Sequence, residues 1–398
     1  MAYYIALALL TIAYSLPHAV LTILLLKKGI SISDIMLIQA VYSFAVLISE
    51  YPSGLFADLH SKKTLFIISK FFLLSMFFLV IYTNSFVAMA IAWFMYGVSS
   101  ALDSGTVDVE IINGLKMGHH GINSFVENSN RLGFLAMLIG STIGSFTYYI
   151  FGVNFYWISI VLTVFSILVI GLFFTEQNYG RQLLNRNSVH EDLFRKLVNQ
   201  SRSGLTEVVH NQALRLMICL TFIGQFFFQA HFQLWQALLL GKNINRHDFY
   251  LIYIVFQLIS LLAYSLPISM IHRYTHNRIF LIGFVVGLGL ILWLLKILTG
   301  WPFVGFYVIW VFIFTVFDYL SNYLFSKRVS LSNISSLTSL KSSCGRIGSL
   351  LAMMECSFVL RFMNTTDTII LNFAMALLFS LVILYRYVRS ESRISKLN

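Results

Sequence analysis

Apolar runs, each close to the roughly 20 residues that one bilayer crossing needs, recur along the whole chain with short polar breaks between them. That recurrence leaves few folds open. Of the 398 residues 58% are hydrophobic and 11% charged, whereas about a quarter of the residues in a soluble domain carry charge. The mean hydropathy of +0.80 agrees with this. Four prolines, 23 glycines and 16% aromatic residues fit close-packed helices with rings at the bilayer interface. A water-soluble, disordered, collagen-like or disulfide-stapled chain is excluded.

The runs predict an all-α integral membrane protein of twelve spans, at 3–26, 35–58, 64–83, 86–110, 122–150, 153–174, 211–240, 248–271, 279–299, 302–326, 337–361 and 366–388. The first run lacks a basic leader and exceeds the apolar stretch of a cleaved signal, so it reads as a span. Cys219, Cys344 and Cys356 lie inside apolar runs without a paired spacing, which predicts packing residues rather than a disulfide or metal knuckle.

Basic residues crowd alternate breaks, among them Lys62, Lys63, Lys116 and Arg181 to Arg215, while the other side holds only Lys27, Lys28, Lys242, Arg246, Lys296 and Arg361. Basic loops resist translocation, so both termini are expected in the cytoplasm. The charge of +11 is thus a topology signal and not a nucleic-acid face. Residues 175–210 form the long polar segment, with leucines and valines at helical spacing among charges, and read as a surface-lying linker helix.

That linker, 175–210, divides the chain into 1–174 and 211–398, and the two parts repeat each other. At an offset of 214, LLLKKGISISD (24–34) lies over LLLGKNINRHD (238–248), so Lys28 meets Lys242; at 215, Pro52 meets Pro267, Asp103 meets Asp318, Arg131 meets Arg346 and Gly133 meets Gly348. A duplication follows, giving two pseudo-symmetric six-helix bundles of like orientation.

The segment Glu50-Tyr51-Pro52-Ser53-Gly54-Leu55-Phe56-Ala57-Asp58-Leu59-His60-Ser61-Lys62-Lys63 is similar to the loop 2–3 signature G-x-x-x-D-basic-x-G-R-basic of the major facilitator superfamily, with the E-x-P-[ST]-G lead of many bacterial efflux members. Leu59 and Ser61 replace the usual basic residue and glycine, and the helix 5 antiporter signature is half present, as Gly140-Ser141-Thr142-Ile143-Gly144 without its proline. The resemblance implies two six-helix bundles around a central cavity and secondary transport by alternating access, with proton-coupled export of a drug or metabolite. Gly54, Asp58, Lys62 and Lys63 would form the cytoplasmic gate, with Asp58 pairing one of the lysines. No cofactor beyond the proton gradient is implied, and the partners are a small-molecule substrate, protons and the lipid bilayer, for a monomer in the plasma membrane.

Charges at bilayer depth cost at least a few kcal/mol, so each needs a partner or a task. Asp103 with Arg131, and Asp318 with Arg346, lie at similar depths and are expected to pair. Lys70 and Lys296, near helix ends, are expected to snorkel. The count of acids over arginines makes Glu50 the first proton-site candidate, since a carboxylate taken out of water carries a proton more readily; Asp318, Glu355 and Asp103 follow. His18 and His231, near equivalence in the two halves, together with Gln225, Gln229, Trp235, Arg131 and Arg346, are substrate-contact candidates, the amides indicating a hydrogen-bonding substrate. No metal-site, P-loop or nucleophile motif occurs. Open alternatives are a dedicated exporter of a zwitterionic metallophore, a nutrient-uptake permease, and, in another class, a lipid flippase or membrane-embedded enzyme.

Overall fold

The computed structural model describes residues 1–59, 61–104, 106–117, 121–176, 206–266, 278–329 and 334–394. These residues are helical throughout, with short turns between helices, and the chain divides into two compact units, Met1–His190 and Glu191–Asn398. The change of unit falls inside the segment read as the linker, of which residues 177–205 lie outside the described residues.

In the N-terminal unit the helices are α1 (Ala2–Ser15), α2 (Leu21–Lys27), α3 (Ile32–Leu59), α4 (Lys62–Tyr82), α5 (Phe86–Asp103), α6 (Val107–Met117), α7 (Ile122–Phe151) and α8 (Tyr156–Phe173). Side-chain caps start two of them: Ser61 accepts from the Thr64 amide at α4 and Ser85 from the Ala88 amide at α5. Gly152, at φ 59°, ends α7 in a conformation other residues avoid.

The span expected at 3–26 is two helices, and Pro17 is the reason. Proline has no N–H to give the carbonyl four residues back and its ring crowds that carbonyl. Here the carbonyl belongs to Ala13, which instead accepts from the Ser159 hydroxyl of α8 at 3.0 Å. The span expected at 86–110 breaks likewise after Asp103, where Thr106 turns its hydroxyl back onto the Asp103 carbonyl at 2.7 Å.

Small residues set how closely helices approach. A Cβ on Gly144 would collide with the Leu16 carbonyl, and one on Gly140 with Ser15 and the backbone of Ile12. The incomplete helix 5 signature is therefore the seam on which α7 meets α1. On Gly97 a Cβ would come within 2.6 Å of the Tyr42 carbonyl, which draws α5 against α3.

The C-terminal unit contains α9 (Gln212–Gly241), α10 (Phe249–Ser265), α11 (Arg278–Ile297), α12 (Gly300–Arg328), α13 (Ile334–Val359) and α14 (Thr365–Ile394). Its first helix, α9, runs unbroken through the region matching the Pro17 turn, because no proline stands there. Leu214, Met217 and Ile218 of α9 pack with Leu320, Leu324 and Phe325 of α12 and Leu337 of α13. A second layer stacks Phe227 on Phe314 at 4.0 Å between ring centres. Among the described residues, eight helical stretches are long and apolar enough to cross a membrane, with 124–173 counted as one. The chain is thus a multi-pass membrane protein. Neither the split first span nor α13 is among the eight, the latter because Ser, Thr, Lys and Arg crowd its first half.

Candidate functional site

Where α3 joins α4, the four-residue gate expectation meets a different set of partners. Gly54 and Asp58 lie within α3, but their side chains fall outside the described residues. Lys62 pairs with Glu110 of α6 at 3.0 Å, and Lys63 donates to the carbonyl of Phe174 at 2.9 Å, just past α8. Glu176 closes the cluster, accepting the Lys62 amide at 2.8 Å and the Ser61 hydroxyl. Ser61, standing where the signature has glycine, thus caps α4 and donates to Glu176 at once. An acid at the free N–H groups of a helix start is favourably placed. Sequence reading missed Glu110 and Glu176, since cross-helix partners leave no spacing signal.

The pair expected between Asp103 and Arg131 does not form. Arg131 is 71% exposed on α7 and holds Glu127 one turn away at 2.5 Å. Asp103 takes Lys70 of α4 instead, at 2.7 Å, and Lys70 is fully buried rather than snorkelling. A second hydrogen bond runs from the Lys70 ammonium to the Tyr14 hydroxyl of α1 at 3.0 Å, and the Phe66 ring centre stands 4.7 Å away. The pairing has a physical reason beyond charge: an acid at a helix C-terminus opposes the helix dipole, and Asp103 ends α5.

Asp318 of α12 also departs from expectation. Its carboxylate accepts from Asn322 at 3.0 Å and from the Tyr264 hydroxyl of α10 at 3.5 Å. The cation acting on it is Lys341 of α13 rather than Arg346, and Lys341 reaches it through a bridge, donating to the Asn322 carbonyl oxygen. Arg346 is half-buried on α13. Lys296 is 63% exposed and lies 3.5 Å from Asp367, in keeping with an interfacial place.

Other candidates separate by burial. His231 is buried, bonded to the Tyr307 hydroxyl at 2.7 Å and parallel to Phe227, and Trp235 is buried against Phe249, Tyr253 and Phe256. Both therefore pack the interior of the C-terminal unit. His18 sits in the Pro17 turn, half-buried. The amides of α9 face α13: Ser349 donates to Gln225 at 2.8 Å, and Gln229 donates to Ser349 at 3.1 Å and to Gln225 at 3.3 Å. Glu50 is half-buried and engaged by the protein rather than left over. The Oε2 of Glu355 is buried without a hydrogen-bond partner among the described residues, as is Oδ1 of Asn372 on α14. Cys356 packs in the core, whereas Cys219, expected to, is exposed.

No family model matches the chain, and no curated protein matches it in sequence. Solved structures do match in shape. The nucleoside transporter NupG superimposes with a TM-score of 0.72 at 14% identity over 98% of both chains. A bacterial homolog of the human lysosomal transporter Spinster, inward-facing and unoccupied, gives 0.67 at 11% identity over 97% of this chain and 95% of that one. A POT family transporter in complex with 5-aminolevulinic acid gives 0.65 at 14% identity over 98% and 96%. All three are transporters, and the chain shares their fold over nearly its whole length.

Proposed function

We propose that the chain is a secondary active transporter that works by alternating access and exports a small polar organic compound across the plasma membrane, driven by proton entry. The observation that supports this most is the likeness over 97 to 98% of the chain to three kinds of transporter. The Lys70–Asp103 pair and the bridged Asp318–Asn322–Lys341 group place charge inside each of the two units. A buried pair is costly unless it has a task, and reversible protonation of a carboxylate is such a task. Glu50 and Glu355 are further proton carriers in this reading. The amide ladder of Gln225 and Gln229 with Ser349 supplies substrate hydrogen bonds. The Lys62–Glu110 pair, together with Lys63, Glu176 and the helix carrying Gly54 and Asp58, forms a gate on the cytoplasmic side, where both termini also lie. The export direction follows from the Glu50 to Gly54 lead.

The test is metabolite profiling of the medium with and without the protein, followed by inside-out vesicles carrying the compound that differs. Uptake that requires an acidic vesicle lumen supports proton-coupled export. Uptake unaffected by collapsing the gradient overturns coupling, and accumulation only in right-side-out vesicles overturns the direction.

A further inference from the structure

The Lys70–Asp103 pair is closed on the lysine side and open on the acid side. Every donor of Lys70 is engaged: Asp103 Oδ2 at 2.7 Å, the Tyr14 hydroxyl at 3.0 Å, and the face of Phe66. Asp103 keeps 32% of its side-chain surface exposed, and among the described residues no donor reaches its Oδ1.

The side chains that share the face of α5 with Asp103, and those that touch them, are aromatic and hydroxylic. Tyr96, Ser100 and Asp103 follow one another at four and three residues along α5, which places them on one face of the helix. Tyr14 of α1 and Tyr42 of α3 flank the Tyr96 ring at 6.0 and 4.8 Å between ring centres, tilted by 32° and 37°. The Tyr42 hydroxyl lies 3.3 Å from the Ser100 hydroxyl. All three tyrosines, Ser100 and Asp103 are only partly buried. None of these contacts involves the C-terminal unit.

Charge decides what such a place holds. Lys70 cancels the Asp103 charge at contact distance, and Asp108, the next acid, occupies the first turn of α6, where free backbone N–H groups receive it. Ring faces favour another flat ring, and an ionised carboxylate oxygen accepts hydrogen bonds only. An anion meets no uncommitted cation there. A cation drawn by Asp103 is opposed by the Lys70 ammonium, already 2.7 Å from the same carboxylate.

We propose that Tyr14, Tyr42, Tyr96, Ser100 and Asp103 form a binding site, complete within the N-terminal unit, for an uncharged planar ring compound that carries N–H or O–H donors. This rests on the transport reading and names its substrate class. The ring stacks on Tyr96 and its neighbours, its donor meets Asp103 Oδ1, and the Tyr42–Ser100 hydroxyl pair takes a second polar group.

The test is equilibrium binding to the full chain in lipid nanodiscs, with adenosine, uridine and nicotinamide as neutral rings, benzoate as the anion and benzyltrimethylammonium as the cation. At least one neutral ring is expected to bind ten times or more tighter than either charged probe. Tyr96→Leu, and the charge-balanced double change Lys70→Met with Asp103→Asn, are each expected to weaken that binding tenfold or more while the melting temperature and elution volume stay native. A charged probe binding as tightly as the best neutral ring overturns the proposal, as does neutral-ring binding that both variants leave unchanged, or no neutral-ring binding at all. Should a double variant fail to fold, Tyr42→Phe, which removes one hydroxyl, is expected to weaken binding severalfold, and unchanged binding counts against the site. Proteoliposome flux of the same probes keeps the two readings apart: binding without flux overturns transport and leaves the site, while flux that ignores these substitutions overturns the site and leaves transport.

Discussion

Lys28 and Lys242, which align when the two halves are laid over each other, perform the same task. Lys28 follows α2 and donates to the carbonyls of Thr83 at 2.9 Å and Ile81 at 3.5 Å, at the end of α4. Lys242 follows α9 and donates to the carbonyl of Lys296 at 2.8 Å, in the last turn of α11. Ile81 and Lys296 themselves stand 215 residues apart, so lysine and target repeat together. A cation on the orphan carbonyls of a helix C-terminus satisfies acceptors that nothing else in the helix can reach. Replacing Lys28 or Lys242 by Met is expected to cost about 1–2 kcal/mol each, read as a lowered melting temperature of the purified protein. An unchanged melting temperature in both variants removes the capping role.

This pair also explains what composition left odd. Lys27 and Lys28 ran against the expected distribution of basic residues; Lys28 caps α4 and Lys27 stands 5.0 Å from the centre of the Tyr148 ring. Neither is placed by topology alone. The helical character of the apolar runs and the conspicuous acids were legible because periodicity and residue type are written along the chain. Facing was not. Arg131 and Arg346 repeat at the right offset, yet Arg131 is exposed and pairs along its own helix, and the cation that Asp103 does meet is a lone lysine inside the apolar run IISKFFLLS. Asp103 and Asp318 correspond, but their lysines come from α4 and α13, so no repeat could announce them. Pro17 was visible, whereas the Ser159 hydroxyl that compensates for it was not.

The two members of the Lys70–Asp103 pair are unequal, and single substitutions are expected to reveal it. Asp103→Asn leaves a fully buried ammonium without its counterion, whereas Lys70→Met leaves a carboxylate that water partly reaches. Breaking a buried pair by removing one partner costs about 3–5 kcal/mol. Asp103→Asn is expected at the upper end of that range and Lys70→Met below it, with the double variant more stable than Asp103→Asn alone. Chemical unfolding in detergent measures all three, and equal costs for the two single changes rule out the asymmetry.

Gly133 and Gly348 occupy matching positions but meet different surroundings. A Cβ on Gly348 would come 2.7 Å from the Phe222 carbonyl of α9, while one on Gly133 meets open space. Backbone cannot yield as a flexible side chain can. Gly348→Ala is expected to destabilise by about 1–3 kcal/mol through overpacking. Gly133→Ala is expected to be neutral or to stabilise by up to about 1 kcal/mol, the helix-propensity gain over glycine. Melting temperatures of the two variants decide; a gain at Gly348 contradicts the close approach of α13 to α9.

Glu176 ties the start of α4 to the end of α8, and its two contacts are of the kind that hold a helix terminus shut. It accepts the Lys62 amide at 2.8 Å and the Ser61 hydroxyl, and Ser61 in turn accepts from the Thr64 amide at 3.2 Å. Glu176→Ala removes the acceptor for one of the four N–H groups that a helix start leaves unmet and releases Ser61 from its orienting partner. A cap loss of about 1 kcal/mol corresponds to a several-fold rise in local opening. Hydrogen exchange at the Lys62 to Leu65 amides is therefore expected to quicken by about fivefold, while exchange in the middle of α4 stays unchanged. Glu110→Gln leaves the backbone contacts intact and weakens only the charge on Lys62, so it is expected to move exchange less than Glu176→Ala does. If the order of the two variants is reversed, the Lys62–Glu110 pair holds this junction and the Glu176 cap is secondary.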